Sequence, residues 1–362
     1  MNRALPSPAA LAGAAFAAVS VLVASYCVAR TPGDVLGGQF PTAAPAVSSH
    51  TPIPYTLEEG RSAGDIGSDL QELGVIRSAR QFELLASLIG IHRRLSTGDY
   101  LLPSNSSTLT IHNRLTVQDL VPVLKATFPE GIRFEEMAVI AEKAGFGPTE
   151  EFIAAVGRAK LPAGLAETLP EGANLQGYLF PDTYIMPVGS TMDELVALML
   201  ETLASRFSPD LRAAALQRGL NPHQALTLAA IVEREAVLPD ERPIIAGVFF
   251  NRLAEGDRLG ADPTVQFAVA LDPASVNEFG WWKKELTVLD LEHPSPYNTR
   301  LFPGLPPGPI TNPGLASIEA VANPARTDYY YFVADAVKAD GSHVFAVTFA
   351  EHERNIATVG GQ

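Results

Sequence analysis

Apolar residues recur at helical spacing along most of the chain, and short extended runs separate the resulting segments. Ile66, Leu70 and Leu73 predict one helix, and a second predicted helix lies around Leu85. Short runs typical of strands precede and follow this pair of helices. We therefore expect residues 53–118 to form a small unit in the order strand, helix, helix, strand.

The start of this unit has a counterpart later in the chain. Glu59-Gly60 and Glu130-Gly131 each follow a short extended run and precede a predicted helix, which ends at Gly74 or at Gly145. The spacing within the two copies is the same. Two copies are too few for a solenoid, so the pattern indicates two related strand–helix units.

Helices dominate the pattern from Leu120 onward. The segment from Pro222 to Leu238 is almost wholly apolar until it reaches Glu233, Arg234 and Glu235. A helix that is apolar on every side is buried, so we expect this one at the centre of a domain.

The amino-terminal residues predict a membrane anchor. Residues 9–29 carry no charge and are long enough, as a helix, to cross the hydrocarbon core of a bilayer. Residues 1–8 would then be a cytoplasmic tail, and residues 30–52, rich in Pro, Gly, Ala, Ser and Thr, a flexible linker. A cleaved signal peptide is the alternative interpretation of the same pattern.

The whole pattern predicts an α+β fold. A transmembrane helix precedes the small βααβ unit, and a mixed, mainly helical domain with short strands follows over residues 119–358. In this domain a proline-rich loop leads to Tyr329–Val333 and His343–Val347, which we expect to pair as closing strands.

Composition narrows the possible partners. The chain is 47% hydrophobic and 18% charged, which is typical of a folded protein. Its formal net charge of −14 argues against binding to nucleic acid, because phosphate contacts need a basic surface. Cys27 is the only cysteine, so no intramolecular disulfide can form. The histidines are scattered, so we expect no metal and no other cofactor.

The strongest candidate for chemistry is the charged cluster that ends the apolar helix. Glu233 and Glu235 lie about 200° apart on a helix, so their side chains face different ways. One carboxyl could bond inward to an arginine such as Arg252 while the other faces a cleft. Apolar neighbours would raise the pKa of the second carboxyl, as a general acid at neutral pH requires. A purely structural ion-pair network is the alternative.

Other segments could contact a ligand. Residues 175–184 are dense in aromatic side chains that could form a wall of a sugar groove, and residues 260–266 and 295–299 are polar loops fixed by prolines. Trp281 and Trp282 could stack on sugar rings. Ordinary turns and packing clusters would produce the same patterns.

Taken in order, these segments resemble the motifs of a known family, the endolytic murein transglycosylases, also called YceG-like proteins. The resemblance covers about residues 53–357. The matching segments are Leu175–Tyr184, Ile231–Glu235, Asn251–Leu253, Asp262–Val265, Tyr297–Thr299, Gly304–Ile310 and Asn312–Gly314, followed by His343 and Phe345.

The resemblance implies a single-pass protein of the bacterial inner membrane with its catalytic part in the periplasm. Residues 53–118 would be a LysM-like domain, and residues 119–358 a YceG-like catalytic domain. The implied substrate is the peptidoglycan glycan strand, cut at the β-1,4 bond between N-acetylmuramic acid and N-acetylglucosamine. Such cutting would terminate or trim nascent strands, and cell-wall synthases of the elongation machinery are the expected partners.

The resemblance also assigns roles to residues. Glu235 corresponds to the catalytic glutamate of the family. We expect the following polar side chains to bind substrate: Tyr178, Asp182, Asp262, Thr264, Gln266, Tyr297, Asn298 and Thr299. The chain departs from commoner family residues at Gln176, Ala236, Gly260 and Phe267, and Gln176 would weaken the enzyme if that position carries charge in catalysis.

The expected mechanism needs a single carboxyl. Protonated Glu235 would give its proton to the glycosidic oxygen, and its carboxylate would then take the proton of the sugar's own C6 hydroxyl. That hydroxyl attacks C1 and closes a 1,6-anhydro ring, helped by its large effective molarity. Two alternatives remain open: a hydrolytic muramidase with Asp262 or Glu233 as second carboxylate, and a non-catalytic scaffold that binds peptidoglycan.

Overall fold

The computed structural model describes residues 52–89, 95–116 and 122–360. The predicted membrane helix over residues 9–29, the tail over 1–8 and all but the last residue of the linker lie outside this part of the chain. Among the described residues, no helix combines the length and apolar character needed to cross a membrane.

The first unit has the predicted order of strand, helix, helix and strand. Its elements are β1 (Pro52–Leu57), α1 (Ala63–Glu72), α2 (Ala79–Ile89), β2 (Gly98–Pro103) and a further helix, α3 (Thr108–Thr116), which the sequence pattern did not predict. β1 pairs antiparallel with β2, so that Tyr55 lies opposite Tyr100. Ser62 caps α1 in a capping box with Asp65.

The second unit repeats this order. Its elements are β3 (Val123–Thr127), α4 (Phe134–Lys143), α5 (Thr149–Arg158) and β4 (Thr183–Pro187). β3 and β4 are again antiparallel, with Ala126 opposite Tyr184. The two related strand–helix units predicted from the spacing of the repeat are therefore present, and each closes into a two-stranded sheet.

A group of helices follows the second unit. In chain order they are α6 (Met192–Arg206), α7 (Pro209–Gln217), α8 (Pro222–Glu235), α9 (Arg242–Ala254), α10 (Asp262–Val269), α11 (Pro273–Phe279), α12 (Val288–Leu291) and α13 (Leu315–Ala322). Asn221 caps α8, and Pro222 occupies its first turn. Every residue from Ala225 to Val232 is buried, as the apolar pattern predicts, but α8 ends at Glu235 rather than at Leu238.

The described chain closes with the predicted strand pair and one more helix. β5 (Tyr331–Ala334) and β6 (His343–Ala346) are antiparallel, and α14 (Phe349–Val359) packs against both strands. No residue of α14 is buried. These three elements form a carboxy-terminal unit whose helix lies at its surface.

Asn312 connects the helical domain to the second unit. Its side-chain oxygen accepts hydrogen bonds from the backbone N–H groups of Gly177 (2.9 Å) and Leu179 (3.1 Å). Its side-chain nitrogen donates to the Ile132 carbonyl oxygen at 3.1 Å. Asn312 is completely buried. Because all three partners lie more than a hundred residues away in sequence, this one amide holds distant segments together.

Two separate hydrophobic cores stabilise the described chain. The smaller belongs to the first unit and contains Leu70, Phe82 and Ile111, whereas the larger extends from β3 to α13. No residue belongs to both. An ion pair of 3.2 Å between Lys125 and Asp99 joins the surfaces of the two units.

Candidate active site

The Glu235 carboxyl lies in a cavity between the helical domain and the carboxy-terminal unit. The cavity has a volume of about 400 Å³. The helical domain contributes Glu235, Phe249, Arg252, Leu259, Gly260, Ala261, Asp262 and Arg300 to its lining. The carboxy-terminal unit contributes Tyr331, Phe332, Val333, Ala334, His343, Phe349 and His352.

The surroundings of Glu235 favour its protonated form. The pKa of this carboxyl is raised from 4.5 to about 7. Burial is the largest cause of the rise, and the negative charge of Asp262 is the second. The positive charges of Arg300, Arg252 and Arg234 oppose the rise. Glu235 is also the last residue of α8, where the helix dipole disfavours an anion. A carboxyl with this pKa can hold and release a proton near neutral pH.

Glu235 has no partner that would fix its charge. Its carboxyl makes no hydrogen bond and no ion pair with any residue in the described part of the chain. Glu233, by contrast, accepts hydrogen bonds from the Gly314 N–H (3.1 Å) and the Ser317 hydroxyl (2.7 Å). Arg242 approaches Glu233 to 3.7 Å, and only 6% of the Glu233 side chain is exposed. The inward carboxyl of the pair is therefore Glu233, and its arginine is Arg242 rather than the expected Arg252.

Arg252 instead lies in the wall of the cavity. Its guanidinium donates to the carbonyl oxygens of Tyr330, at 2.6 Å, and of Leu259. These bonds fix the charge against backbone groups of both sides of the cavity, and burial lowers the pKa of Arg252. Arg252 thus supplies a fixed positive group beside Glu235.

Asp262 and Arg300 form the polar edge of the same cavity. The Arg300 Nε donates to the Asp262 carboxylate at 2.6 Å, and both side chains are exposed. Asp262 begins α10, two residues after Gly260, whose φ of +63° is the left-handed conformation that glycine accommodates best. The ion pair and Glu235 line the same cavity.

Comparison with known proteins identifies the family that the sequence motifs resemble. The YceG-like family matches the chain over residues 55–358. The chain belongs to the YceG-like family.

Relatives of this YceG-like chain carry a common name. An endolytic murein transglycosylase of Bacillus subtilis is 30% identical over 319 residues, with 84% of each chain covered. One of Streptococcus pneumoniae serotype 2 is 31% identical over 324 residues, which cover 83% of this chain and 57% of that protein. The crystal structure of a yceG-like protein from Listeria monocytogenes superposes with a TM-score of 0.54 at 29% identity, covering 84% of this chain and 99% of that one.

Three of the polar residues predicted to bind substrate are buried and form hydrogen bonds near the cavity. The Thr264 hydroxyl bonds to the Thr299 hydroxyl at 2.9 Å, and both residues are buried. Asn298 is fully buried, and its side chain donates to the carbonyl oxygens of Leu291 (3.0 Å) and His293 (2.9 Å). These bonds hold the loop that carries Arg300 against the start of α10. Of the predicted binding residues, Asp262 lines the cavity directly.

Tyr178 and Asp182 do not line the Glu235 cavity. Tyr178 is completely buried, and its hydroxyl bonds to the Nδ1 of His223 at 2.9 Å. Asp182 lies 3.6 Å from Arg206 in an ion pair that is partly exposed. In this structure both side chains contact protein groups of the second unit and the helices packed on it.

Gln266 and Tyr297 also lie outside the lining of the cavity. The Gln266 side chain donates to the Lys283 carbonyl oxygen at 2.9 Å. The Tyr297 ring packs against the ring of Phe267, with 4.7 Å between centroids. Phe267, one of the departures from commoner family residues, therefore contacts a motif residue with its ring tilted at 47°.

Gln176 and the two adjacent tryptophans lie away from the Glu235 cavity. The Gln176 side chain accepts a hydrogen bond from the Phe134 N–H at 3.2 Å, at the start of α4, and is almost completely buried away from the cavity lining. The Arg234 guanidinium lies over the Trp282 ring, 4.0 Å from the centroid of that ring, and the Arg133 guanidinium lies over the Trp281 ring. The two tryptophans therefore contact arginines rather than lining the Glu235 cavity.

The sequence pattern missed most of the carboxy-terminal wall. His343 bonds through Nδ1 to the Glu241 carboxylate at 2.6 Å, just beyond the end of α8. Tyr331, Phe349 and His352 complete this wall, and none of them was predicted to contact substrate. The sequence offers no signal for these three residues, because the packing of α14 on β5 and β6 brings them to the cavity. In the described residues, no three His, Cys, Asp or Glu side chains meet in a way that could hold a metal ion.

Proposed function

We propose that this chain is an endolytic lytic transglycosylase of peptidoglycan. It cuts the β-1,4 bond between N-acetylmuramic acid and N-acetylglucosamine within a glycan strand and leaves 1,6-anhydro-N-acetylmuramic acid ends. The observation that carries the proposal is the unpaired Glu235 carboxyl, with a pKa near 7, in a cavity of a YceG-like chain. The names of its relatives support the reaction class.

Glu235 acts first as an acid and then as a base. Its proton passes to the glycosidic oxygen as the bond from that oxygen to C1 breaks, which leaves an oxocarbenium-like muramic ring. The Glu235 carboxylate then accepts the C6 hydroxyl proton while the C6 oxygen bonds to C1. The carboxyl regains its proton, and no water is consumed. The internal nucleophile outcompetes water because of its effective molarity.

The groups around Glu235 suit this order of proton transfers. The carboxyl must be protonated before the cut and an anion directly after it, so its surroundings have to tolerate both forms. Burial and Asp262 favour the protonated form, whereas Arg252 and Arg300 stabilise the anion. Arg252 is fixed by backbone carbonyls, so it need not reorganise during the reaction.

The rival hydrolytic mechanism requires a second carboxylate to activate water. Glu233 is poorly suited to that role, because Gly314, Ser317 and Arg242 occupy its carboxyl. Asp262 lines the cavity and is the remaining candidate. The mass of the products separates the two mechanisms, because hydrolysis adds one water to each cut and the transglycosylase reaction adds none.

The cellular setting belongs to the same proposal. Residues 9–29 would anchor the chain in the bacterial inner membrane, with the catalytic part in the periplasm. The first unit would act as a LysM-like module on the glycan strand, a role supported by its βααβ order. Cutting beside a cell-wall synthase would terminate or trim nascent strands.

The direct test uses purified, uncrosslinked glycan strands. The unsubstituted protein should release fragments that end in 1,6-anhydro sugar, and Glu235→Gln should release none while staying folded, with a thermal unfolding midpoint no lower than that of the unsubstituted protein. Glu201→Gln, which changes an exposed glutamate of α6, is the matched control and should cut normally. Anhydro products from Glu235→Gln at the unsubstituted rate, or water-added products from the unsubstituted protein, would reject the mechanism.

A further inference from the structure

The carboxy-terminal side of the Glu235 cavity is a wall of stacked aromatic rings. The rings of Tyr331 and His352 lie 5.2 Å apart at an interplanar angle of 21°, and the Phe349 ring meets Tyr331 edge-on at 5.8 Å. All three side chains line the cavity that contains Glu235. We call Tyr331, Phe349 and His352 the aromatic wall.

The aromatic wall is not part of a hydrophobic core. Phe349 is 58% exposed although it is a large apolar side chain, and no residue of its helix is buried. An apolar ring this exposed lacks the favourable free energy that burial would give it. A ligand that covers the ring in the cavity would recover part of that free energy.

The opposite side of the cavity is polar. It presents the fixed guanidinium of Arg252 and the ion pair of Asp262 with Arg300. Sites for small polar ligands typically combine apolar or aromatic walls with a few fixed polar groups. A sugar ring has this same division, because its axial C–H groups form an apolar face and its hydroxyl and amide groups project at the edges.

We propose that the aromatic wall is a binding subsite for an N-acetylhexosamine ring next to the bond that Glu235 cuts. The apolar face of the sugar lies on Phe349 and Tyr331, and its polar edge faces Arg252 and Asp262. This inference rests on the proposed function and specifies how the strand is held. It assigns substrate binding to a part of the chain that the sequence motifs left without a role.

His352 fits a stacking surface. Burial lowers the pKa of its imidazole, so the ring is neutral near pH 7. Its Nδ1 is buried and has no hydrogen-bond partner among the described residues. A neutral ring stacked on Tyr331 extends the flat surface without adding a charge.

The wall is fixed relative to Glu235. Glu241, six residues after Glu235, accepts hydrogen bonds from both the backbone N–H of His343 (2.9 Å) and its imidazole. On the neighbouring helix, the Asn251 side chain donates to the carbonyl oxygens of Thr327 and Tyr329, each at 2.8 Å. These contacts hold the start of β6 and the segment that leads into β5 beside α9 and the residue before it, so the subsite is part of a preformed cavity.

The test measures glycan binding separately from cutting. Binding of purified, uncrosslinked glycan strands is measured with the Glu235→Gln protein, and again after adding Phe349→Ala. The dissociation constant should rise about 3- to 10-fold, as expected for losing one aromatic stacking contact. Ile356→Ala is the matched control, because Ile356 is a 45%-exposed apolar residue of the same helix outside the cavity lining. Its binding should stay within about twofold.

A second substitution distinguishes stacking from general apolar contact. Phe349→Trp should bind at least as tightly as the parent, whereas Phe349→Leu should bind as weakly as Phe349→Ala. In the otherwise unsubstituted enzyme, Phe349→Ala should raise KM while kcat changes little.

Unchanged binding by Phe349→Ala, or an equal loss in Ile356→Ala, would overturn the subsite. Failure of the proposed function looks different, since the unsubstituted protein would then leave strands uncut whatever the binding data show. Thermal unfolding midpoints of all variants confirm that each one is folded during the measurement.

Discussion

Glu233 and Glu235 are separated by one residue on α8, and their carboxyl groups have opposite surroundings. Glu233 is held by Gly314, Ser317 and Arg242, whereas Glu235 faces a cavity without a partner in the described chain. The helical rotation between the two positions produces this difference. One carboxyl therefore anchors the end of the helix, and the other is left free for proton transfer.

The cutting rate should fall as pH rises through about 7. The first step needs protonated Glu235, and burial raises the pKa of this group to about 7. Above that pH, kcat/KM should decline by about tenfold per pH unit. The measurement is a pH profile on soluble glycan strands between pH 5 and 9. A flat profile over this range would contradict the role of Glu235 as the acid.

The free energy of unfolding should also depend on the ionisation of Glu235. The folded-state pKa of Glu235 lies above its ordinary value of 4.5, so between about 4.5 and 7 the folded protein binds more protons than the unfolded chain. The free energy of unfolding contributed by this group is present below that window and is lost as pH rises through it. Glu235→Gln cannot ionise, so it should gain roughly 2–3 kcal/mol over the unsubstituted protein between pH 4 and pH 8. Urea unfolding at both values tests this, and an equal difference at the two pH values would refute it.

Asp262→Asn should move the pH profile toward lower pH. The negative charge of Asp262 raises the pKa of Glu235, and its loss also leaves Arg300 without its partner at 2.6 Å. Both effects favour the Glu235 anion, so the rate should decline at lower pH than in the unsubstituted enzyme. Asp193→Asn breaks a comparable exposed pair with Arg158 (2.9 Å) and should leave the profile unchanged. A shift of the Asp262→Asn profile toward higher pH would disprove the electrostatic argument.

Glu233→Ala should destabilise the fold. The substitution leaves the Gly314 N–H and the Ser317 hydroxyl without their acceptor and Arg242 without its anion. The expected loss is about 3 kcal/mol in the free energy of unfolding. Glu233→Gln keeps an acceptor oxygen and should lose less. Urea titration gives the comparison, with Glu201→Ala as the exposed control, and a loss equal to that control would show that the network contributes nothing.

Asn312→Ala should also be strongly destabilising. It would leave the N–H groups of Gly177 and Leu179 and the Ile132 carbonyl without their side-chain partner in a buried site. The expected loss is about 3 kcal/mol or more. Asn323→Ala, at an exposed helix end, should cost under about 1 kcal/mol. If the two variants unfold at the same urea concentration, the connecting role assigned to Asn312 is wrong.

The sequence predicted those features that depend on local spacing. The apolar run before Glu233 predicted a buried helix, and the paired glycines at Gly74 and Gly145 predicted two related units. The opposite directions of Glu233 and Glu235 followed from helical geometry alone. Each of these inferences uses spacing within one short segment, or within each copy of the repeat.

Features that depend on contacts between distant residues could not be predicted in the same way. The choice of Arg242 over Arg252 as partner of Glu233 depends on how α9 packs, which spacing does not determine. The aromatic wall is made by Phe349 and Tyr331, more than ninety residues after Glu235. Because such residues meet only in the folded chain, their proximity to the cavity has no sequence signature of its own.

The absence of any shared residue between the two hydrophobic cores has a consequence for how the chain can diverge. Substitutions around Leu70 and Phe82 alter packing that does not extend to α8. The first unit can therefore accumulate changes to its surface and interior while the geometry around Glu235 is maintained. Under the proposed function, substitutions in the unit assigned to binding the glycan strand would leave the site assigned to cutting it unchanged.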